Sequence, residues 1–258
     1  MNAHADIPDR MRIARRFGAA AADYDREALA QRRSAERLLA GAVFDGRTLD
    51  IGCGTGWMTE RIASLTAEVV ALDISHAMLM SAPLQQSNIR RIQADAYSLP
   101  VATGSVHHIV SNFALQWLHS PEPFAGELSR VLHPAGTFRL AMPVDGSLRE
   151  LRQAWLDVED TPPINRFLSA ESWGIACQRQ GLVLLKWEVM PMYQYYPTVR
   201  DMLRALKSIG ASETHEPRRS GLWGKGKLQA LEAAMEPFRT VEGLPLRYDV
   251  LQIQGYKP

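Results

Sequence analysis

One stretch constrains this chain more than any other: an apolar strand that runs into three glycines, Leu49-Asp50-Ile51-Gly52-Cys53-Gly54-Thr55-Gly56. Glycines 52, 54 and 56 let a ligand lie against bare backbone where a helix opens near Trp57. The spacing is G-x-G-x-G, whereas a dinucleotide fingerprint sets its third glycine three positions after the second. No Gly-Lys-Ser/Thr follows, which excludes a nucleotide-triphosphate loop. Asp50, just ahead of the first glycine, would repel a pyrophosphate and suits the ammonium group of an amino-acid ligand. Cys53 reads as a small filler of the turn, not as a nucleophile.

Seven segments read as strands: 48–51, 68–73, 89–92, 107–112, 136–142, 182–196 and 246–253. Helical stretches alternate with them, at 10–40, from Trp57, after the N-cap Ser75, at 147–158, at 170–180 and across 198–240. That alternation predicts an α/β fold with a doubly wound, mostly parallel seven-stranded sheet and an antiparallel C-terminal strand. Residues 1–258 are expected to form a single domain. Its parts are a helical lid at 10–40, a ligand-binding core at 47–142 and an inserted helical cap at 198–240, broken at Ser208-Ile209-Gly210-Ala211.

In such sheets ligands bind outside the carboxyl ends of the strands. Asp73 ends the second strand, where its two oxygens suit both hydroxyls of a ribose. Asp95-Ala96, after the third strand, suits an adenine amino group, and Asn112-Phe113 ends the fourth. His107 and His108 lie inside that fourth strand and point to opposite faces, which favours structural roles.

The formal charge of +1 gives no global attraction to nucleic acid or membrane. No apolar run approaches the ~18–20 residues that span a bilayer. The opening residues MNAHADIPDRMRIARRFG lack the apolar core of a signal peptide. Cys53 and Cys177 show neither a disulfide framework nor metal-ligand spacing, so both are expected as reduced thiols in the cytoplasm.

Asp-x-Gly-x-Gly-x-Gly, then Leu72-Asp73-Ile74-Ser75, then Ala94-Asp95-Ala96 with Leu99-Pro100, resembles a class I, Rossmann-like S-adenosylmethionine-dependent methyltransferase over residues 47–142. A narrower likeness spans nearly the whole chain. Phe17-Gly18-Ala19-Ala20-Ala21-Ala22-Asp23-Tyr24, Cys53-Gly54-Thr55-Gly56-Trp57-Met58 and Ser111-Asn112-Phe113-Ala114-Leu115-Gln116-Trp117 are similar to the malonyl-acyl carrier protein O-methyltransferases of biotin synthesis. So are Gly146 to Leu151, Asn165-Arg166-Phe167-Leu168, Leu206 to Ala211 and Leu244 to Val250; Ile51 stands where some members have Ala. The resemblance implies S-adenosyl-L-methionine as cofactor and S-adenosyl-L-homocysteine as product. It implies methyl transfer to the free carboxylate of a malonyl group on acyl carrier protein, or on coenzyme A. That transfer needs only alignment and exclusion of water, and the sequence shows no metal-binding cluster, so no metal is expected.

The expected cofactor contacts are Tyr24, Gln31, Asp50, Gly52, Cys53, Gly54, Gly56, Asp73, Ile74, Asp95, Ala96, Asn112 and Phe113. A carboxylate acceptor is already anionic at neutral pH, so no catalytic acid or base is expected. Arg166, Lys207 and Arg204 are the candidates to hold it, and Gln116-Trp117 to wall the transfer pocket. Phe17 and Tyr24 either close over the cofactor or dock the first helix on the sheet. Between residues 200 and 230, seven basic residues face three acids, a net +4 suited to an acidic carrier protein. Two rivals stay open: another small-molecule O- or C-methyltransferase, and a non-catalytic module that binds the same cofactor. An amino-directed nucleic-acid enzyme would show Pro-Pro-Tyr/Phe where this chain has Asn112-Phe113-Ala114-Leu115, and neither cysteine follows a proline.

Overall fold

Alternating apolar runs give seven strands: β1 (Arg47–Ile51), β2 (Glu68–Asp73), β3 (Ile89–Gln93), β4 (Val106–Asn112), β5 (Leu132–Pro143), β6 (Val183–Tyr196) and β7 (Leu244–Tyr256). In the computed structural model they form one sheet in the order β3-β2-β1-β4-β5-β7-β6. The structure describes residues 26–82, 85–209 and 225–258, together with Arg12, Ala14, Arg15, Phe17, Gly18 and Tyr24. β1 pairs in parallel with β2 and β4, β2 with β3, and β4 with β5. β7 runs antiparallel to both β5 and β6, so it alone opposes the other six. The strand order reverses between β1 and β4, and that switch point opens a crevice at the carboxyl edge.

Helices cover both faces. On one, Leu38 of α1 (Leu29–Leu39), Ile62 of α2 (Trp57–Ala63) and Trp155 of α5 (Arg149–Leu156) share a core with Met202 of α7 (Val199–Ser208) and Leu231 of α8 (Lys225–Met235). On the other, Phe124 and Leu128 of α4 (Pro121–Val131) and Trp173 of α6 (Ala170–Arg179) pack against Leu49, Ile109, Leu140 and Ile253 of the strands. The remaining helix, α3 (His76–Ser81), starts as the sequence predicts: the Ser75 side chain accepts a hydrogen bond from the Met78 N–H at 3.4 Å.

The structure refines several expected elements. The N-terminal helical stretch is interrupted at Ala28, ahead of α1. α4 was not among the predicted helices, though Pro121 near its start and Phe124, Leu128 and Val131 at helical spacing support it. Of the expected cap, α7 and α8 are described, while Gly210, Ala211, Arg218 and Arg219 lie outside the described residues. His108 sits at the opposite edge of the sheet from the glycine loop. There its Nε2 meets Asp45 at 2.7 Å and its Nδ1 meets Thr137 at 2.8 Å, a structural role. No helix among the described residues is long and apolar enough to cross a membrane.

Candidate active site

The glycine loop folds back over β2. Gly52 N–H and Cys53 N–H both donate to the Leu72 carbonyl, at 2.7 and 3.0 Å. Gly52 has φ +71°, and a Cβ there would lie 2.1 Å from that of Ala114, so no other residue fits this close crossing. Gly54 has φ +56° with open space beside it, and Gly56, at φ +81°, starts α2. Cys53 is buried, and burial holds its thiol well above the ordinary range, so it fills the turn and is no nucleophile.

Asp73 is fixed by backbone alone. Its Oδ2 accepts from Gly54 N–H at 2.9 Å and its Oδ1 from Ser75 N–H at 2.8 Å. Burial raises its pKa, and these backbone donors pull against that rise. Each oxygen keeps a lone pair. Asp73 borders a solvent-open cleft of about 770 Å³ whose walls include Ile74, Met78, Asp95, Ala96, Phe113, Leu115 and Leu118. Phe17, Tyr24 and Trp117 edge the same cleft, with the Phe17 ring T-shaped against Trp117 at 5.3 Å. Phe113 adopts φ 53°, a strained conformation for a residue with a Cβ, and its ring packs edge-on against Tyr248 at 5.7 Å.

A second cleft of about 450 Å³ shares Tyr24, Gly52 and Gly54 with the first, and adds Gln31, Arg32, Cys53, Trp57 and Asn112. Asn112 Nδ2 donates to the Gln31 carbonyl at 2.9 Å, which docks α1 onto the end of β4. Asp50 lines neither cleft: it is fully buried, and its Oδ2 accepts from Thr59 Oγ1 at 2.6 Å. Burial pushes its carboxyl up to about 7, with the Thr59 hydroxyl opposing and nearby Asp73 adding to the rise. Gln31 Oε1, Asp50 Oδ1 and Asn112 Oδ1 are buried acceptors that meet no donor. Two of them, on Gln31 and Asn112, belong to residues that line this cleft and can accept from the N–H bonds of an ammonium group, while buried Asp50 acts on such a group through its charge.

Arg32 was missed in the sequence. It borders this cleft with its guanidinium 6.0 Å from the Trp57 ring, while Arg61 covers that ring at 3.4 Å. Acceptors inside and a guanidinium at the wall fit the ammonium and carboxylate of an amino acid. The joined apolar cleft, with Asp73 and Asp95 in its walls, fits a nucleoside. Together the residues present fit S-adenosylmethionine.

The chain matches the family model described as "Methyltransferase domain" over residues 49–140. It is 39% identical to a malonyl-acyl-carrier protein O-methyltransferase of Pectobacterium atrosepticum, covering 93% of this chain and 93% of that protein. The chain belongs to the malonyl-acyl-carrier protein O-methyltransferase family. It is also 37% identical, over 98% of its length, to the biotin biosynthesis bifunctional protein BioHC of Cellvibrio japonicus, of which it spans 51%. Among solved structures, the YcgJ protein of Bacillus subtilis shares the fold with a TM-score of 0.60 at 18% identity, covering 88% of this chain and 98% of that one.

On the acceptor side of this O-methyltransferase the expected cations do not reach either cleft. α7 turns Val199, Met202, Ala205 and Leu206 into the core, which leaves Arg204 and Lys207 on its solvent face. Arg204 bonds Asp201 at 2.8 Å. The net +4 of the 200–230 segment is also reduced, because Arg200 pairs with Glu232 and Lys227 with Glu159, both acids outside it. Arg166 is exposed, next to the buried Asn165, whose carbonyl accepts from Arg152 Nη2 at 2.6 Å. Gln116 is buried, donating to the Phe113 carbonyl at 2.8 Å, and lines neither cleft. Trp117 does line the first one.

Proposed function

We propose that this chain moves the methyl group of S-adenosylmethionine to the free carboxylate of a malonyl thioester carried by acyl carrier protein, giving the methyl ester that primes biotin synthesis. The observation that carries the reading is the pair of joined clefts, one with unmet acceptors and a guanidinium, the other apolar with Asp73 in its wall. The high identity to carrier-protein methyltransferases supports the acceptor. When bound, S-adenosylmethionine supplies an electrophilic methyl carbon on a sulfonium.

The chain's own residues bind, align and exclude water. Asp73 holds a vicinal diol through the lone pairs that Gly54 and Ser75 leave free. Gln31 and Asn112 would take the ammonium, buried Asp50 would favour it by charge, and Arg32 would take the carboxylate. Asp95 and Ala96 face the base, Ile74 and Phe113 pack on it, and Gly56 opens the helix behind the loop. Phe17, Tyr24 and Trp117 close the edge, so segment 10–40 acts as a lid on the core at 47–142 and segment 198–240 as a cap. The acceptor's carboxylate is anionic at neutral pH and attacks without a base.

Arg166 remains the cation proposed to hold it. It has no acid partner among the described residues, and it adds to the burial that lowers the pKa of Arg152. Asp145 already offsets part of that effect, and an anion bound by Arg166 would add to that offset. Lys207 and Arg204, on the face of α7 turned to solvent, are proposed to meet the carrier protein.

Mass spectrometry of malonyl-acyl carrier protein incubated with this chain and S-adenosylmethionine tests the reading. The expected result is a mass gain of one methylene unit, lost in Asp73→Ala. No gain on the carrier protein or on malonyl-coenzyme A, despite measured cofactor binding, would overturn the acceptor assignment.

A further inference from the structure

β6 is the outer strand of the sheet. It pairs with β7 from Val183 to Tyr196, and with no other strand among the described residues. Natural proteins shorten, cover or charge such edges, because an open ladder of N–H and C=O groups recruits another strand. Here the edge is 14 residues long and apolar apart from Lys186, Glu188 and Gln194. Leu185 is 72% exposed, Trp187 43% and Val189 40%, and Ile175 of the adjoining helix α6 is 47% exposed. The Trp187 indole lies across Gly174 of α6, where a Cβ would come within 3.2 Å of its nitrogen. A register shift between Leu184 and Lys186 marks a bulge that turns Leu185 outward. Pro191 has no N–H and interrupts the strand's run of backbone donors. Between these points stand Lys186 and Glu188, 2.6 Å apart along the strand and both partly exposed.

We propose that this edge is the interface for a second copy of the chain, with two β6 strands running antiparallel about a two-fold axis at Trp187. Such an axis sets Lys186 opposite the partner's Glu188, Leu185 opposite the partner's Val189 and Trp187 opposite the partner's Trp187. Every pair then matches in kind, apolar with apolar and cation with anion. The register has no equal neighbour. Moving the axis to Lys186 faces that cation with itself, and moving it to Glu188 faces two carboxylates. A continuous fourteen-stranded sheet results, and the clefts at the carboxyl edge of β1, β2 and β4 lie across the sheet from the join.

Sedimentation equilibrium of the full chain over a concentration series tests this. The native chain is expected to dimerise. Lys186→Glu and Glu188→Lys, each made alone, should weaken dimerisation about tenfold or more, since two attractive contacts become repulsive in each dimer. An equimolar mixture of the two single variants should form a heterodimer, and the double variant Lys186→Glu/Glu188→Lys should dimerise as the native chain does. Cofactor binding by each variant reports that it is folded. A native chain that stays monomeric would overturn the proposal, as would a dimer indifferent to both single reversals.

Discussion

The carboxyl edge of the sheet has two halves with different construction. Around Gly52, Asp73 and Asn112, each ligand-facing group is fixed by main chain: Asp73 by two N–H donors, the glycine loop by the Leu72 carbonyl, and Asn112 by the Gln31 carbonyl. Around α7 and Arg166 the charged groups project into solvent, and most of those described pair with acids on exposed surface. Backbone-anchored groups keep their geometry with the site empty, so their contribution to binding is paid for during folding. Exposed ion pairs are worth little and rearrange easily, which suits a surface that meets a second macromolecule. The first half is built as a pre-formed ligand site, and the second is the region proposed to dock the carrier protein.

The largest expected effect falls on the first half. Asp73→Ala removes two charge-assisted bonds to a diol and should weaken S-adenosylmethionine binding by about a hundredfold or more, read by calorimetry. Asp73→Asn keeps one acceptor oxygen and should recover part of that loss, but its NH2 must face the N–H of Gly54 or Ser75, so a lower melting temperature is expected with it. Equal affinity in Asp73→Ala and the native chain would break the contrast between the halves.

Arg32→Gln comes next. Its loss should raise Kd for S-adenosylmethionine about tenfold while leaving binding of the decarboxylated analogue unchanged. An equal loss for both ligands would place Arg32 in a packing role beside Trp57.

These two residues also mark how far the sequence is legible. The loop, Asp73, Asp95 and Asn112 could be read directly, because a strand end and a glycine turn fix where their side chains go. Arg32 could not. It stands in a helix with Arg33 and Arg37, and only the docking of α1 through Asn112 and Gln31 selects it from those neighbours. The surroundings of Arg204 and Lys207 were hidden for the same reason in reverse: an apolar stripe at Val199, Met202, Ala205 and Leu206 decides which face of α7 is buried, and the cations fall on the other. Glu232 and Glu159 each pair with one cation of the 200–230 patch from outside it, as folding alone reveals. The sheet was legible strand by strand, yet the insertion of β7 between β5 and β6 comes from tertiary pairing that no local pattern records.

Asp50 gives a pH test of the pre-formed half. Its folded pKa of about 7 lies above the ordinary 3.8, so ionisation is harder in the folded chain than in the unfolded one. Stability from this group is full below the unfolded value and falls as pH rises towards about 7, levelling above it. A bound ammonium favours the ionised carboxylate, so cofactor affinity should rise with pH up to about 7 and then flatten. Calorimetry in buffers of different ionisation enthalpy should show proton release on binding near pH 6. Asp50→Asn should remove both the slope in stability and the proton release. A native chain without proton release would mean that the ammonium group does not sense Asp50.

The smallest effect belongs to the docking half, and there a split between substrates is more informative than its size. Lys207 is exposed on α7, and reversing one surface charge changes steering and rim contacts by a few tenths of a kcal/mol to about 1 kcal/mol. Lys207→Glu should therefore raise KM for malonyl-acyl carrier protein about two- to fivefold, most at low salt, while kcat holds. For a short malonyl thioester, which lacks the carrier's acidic surface, KM should not move. If KM rises equally for both, Lys207 grips the malonyl carboxylate itself, the region around α7 joins the pre-formed site, and the contrast between the two halves shrinks to the paired arginines alone.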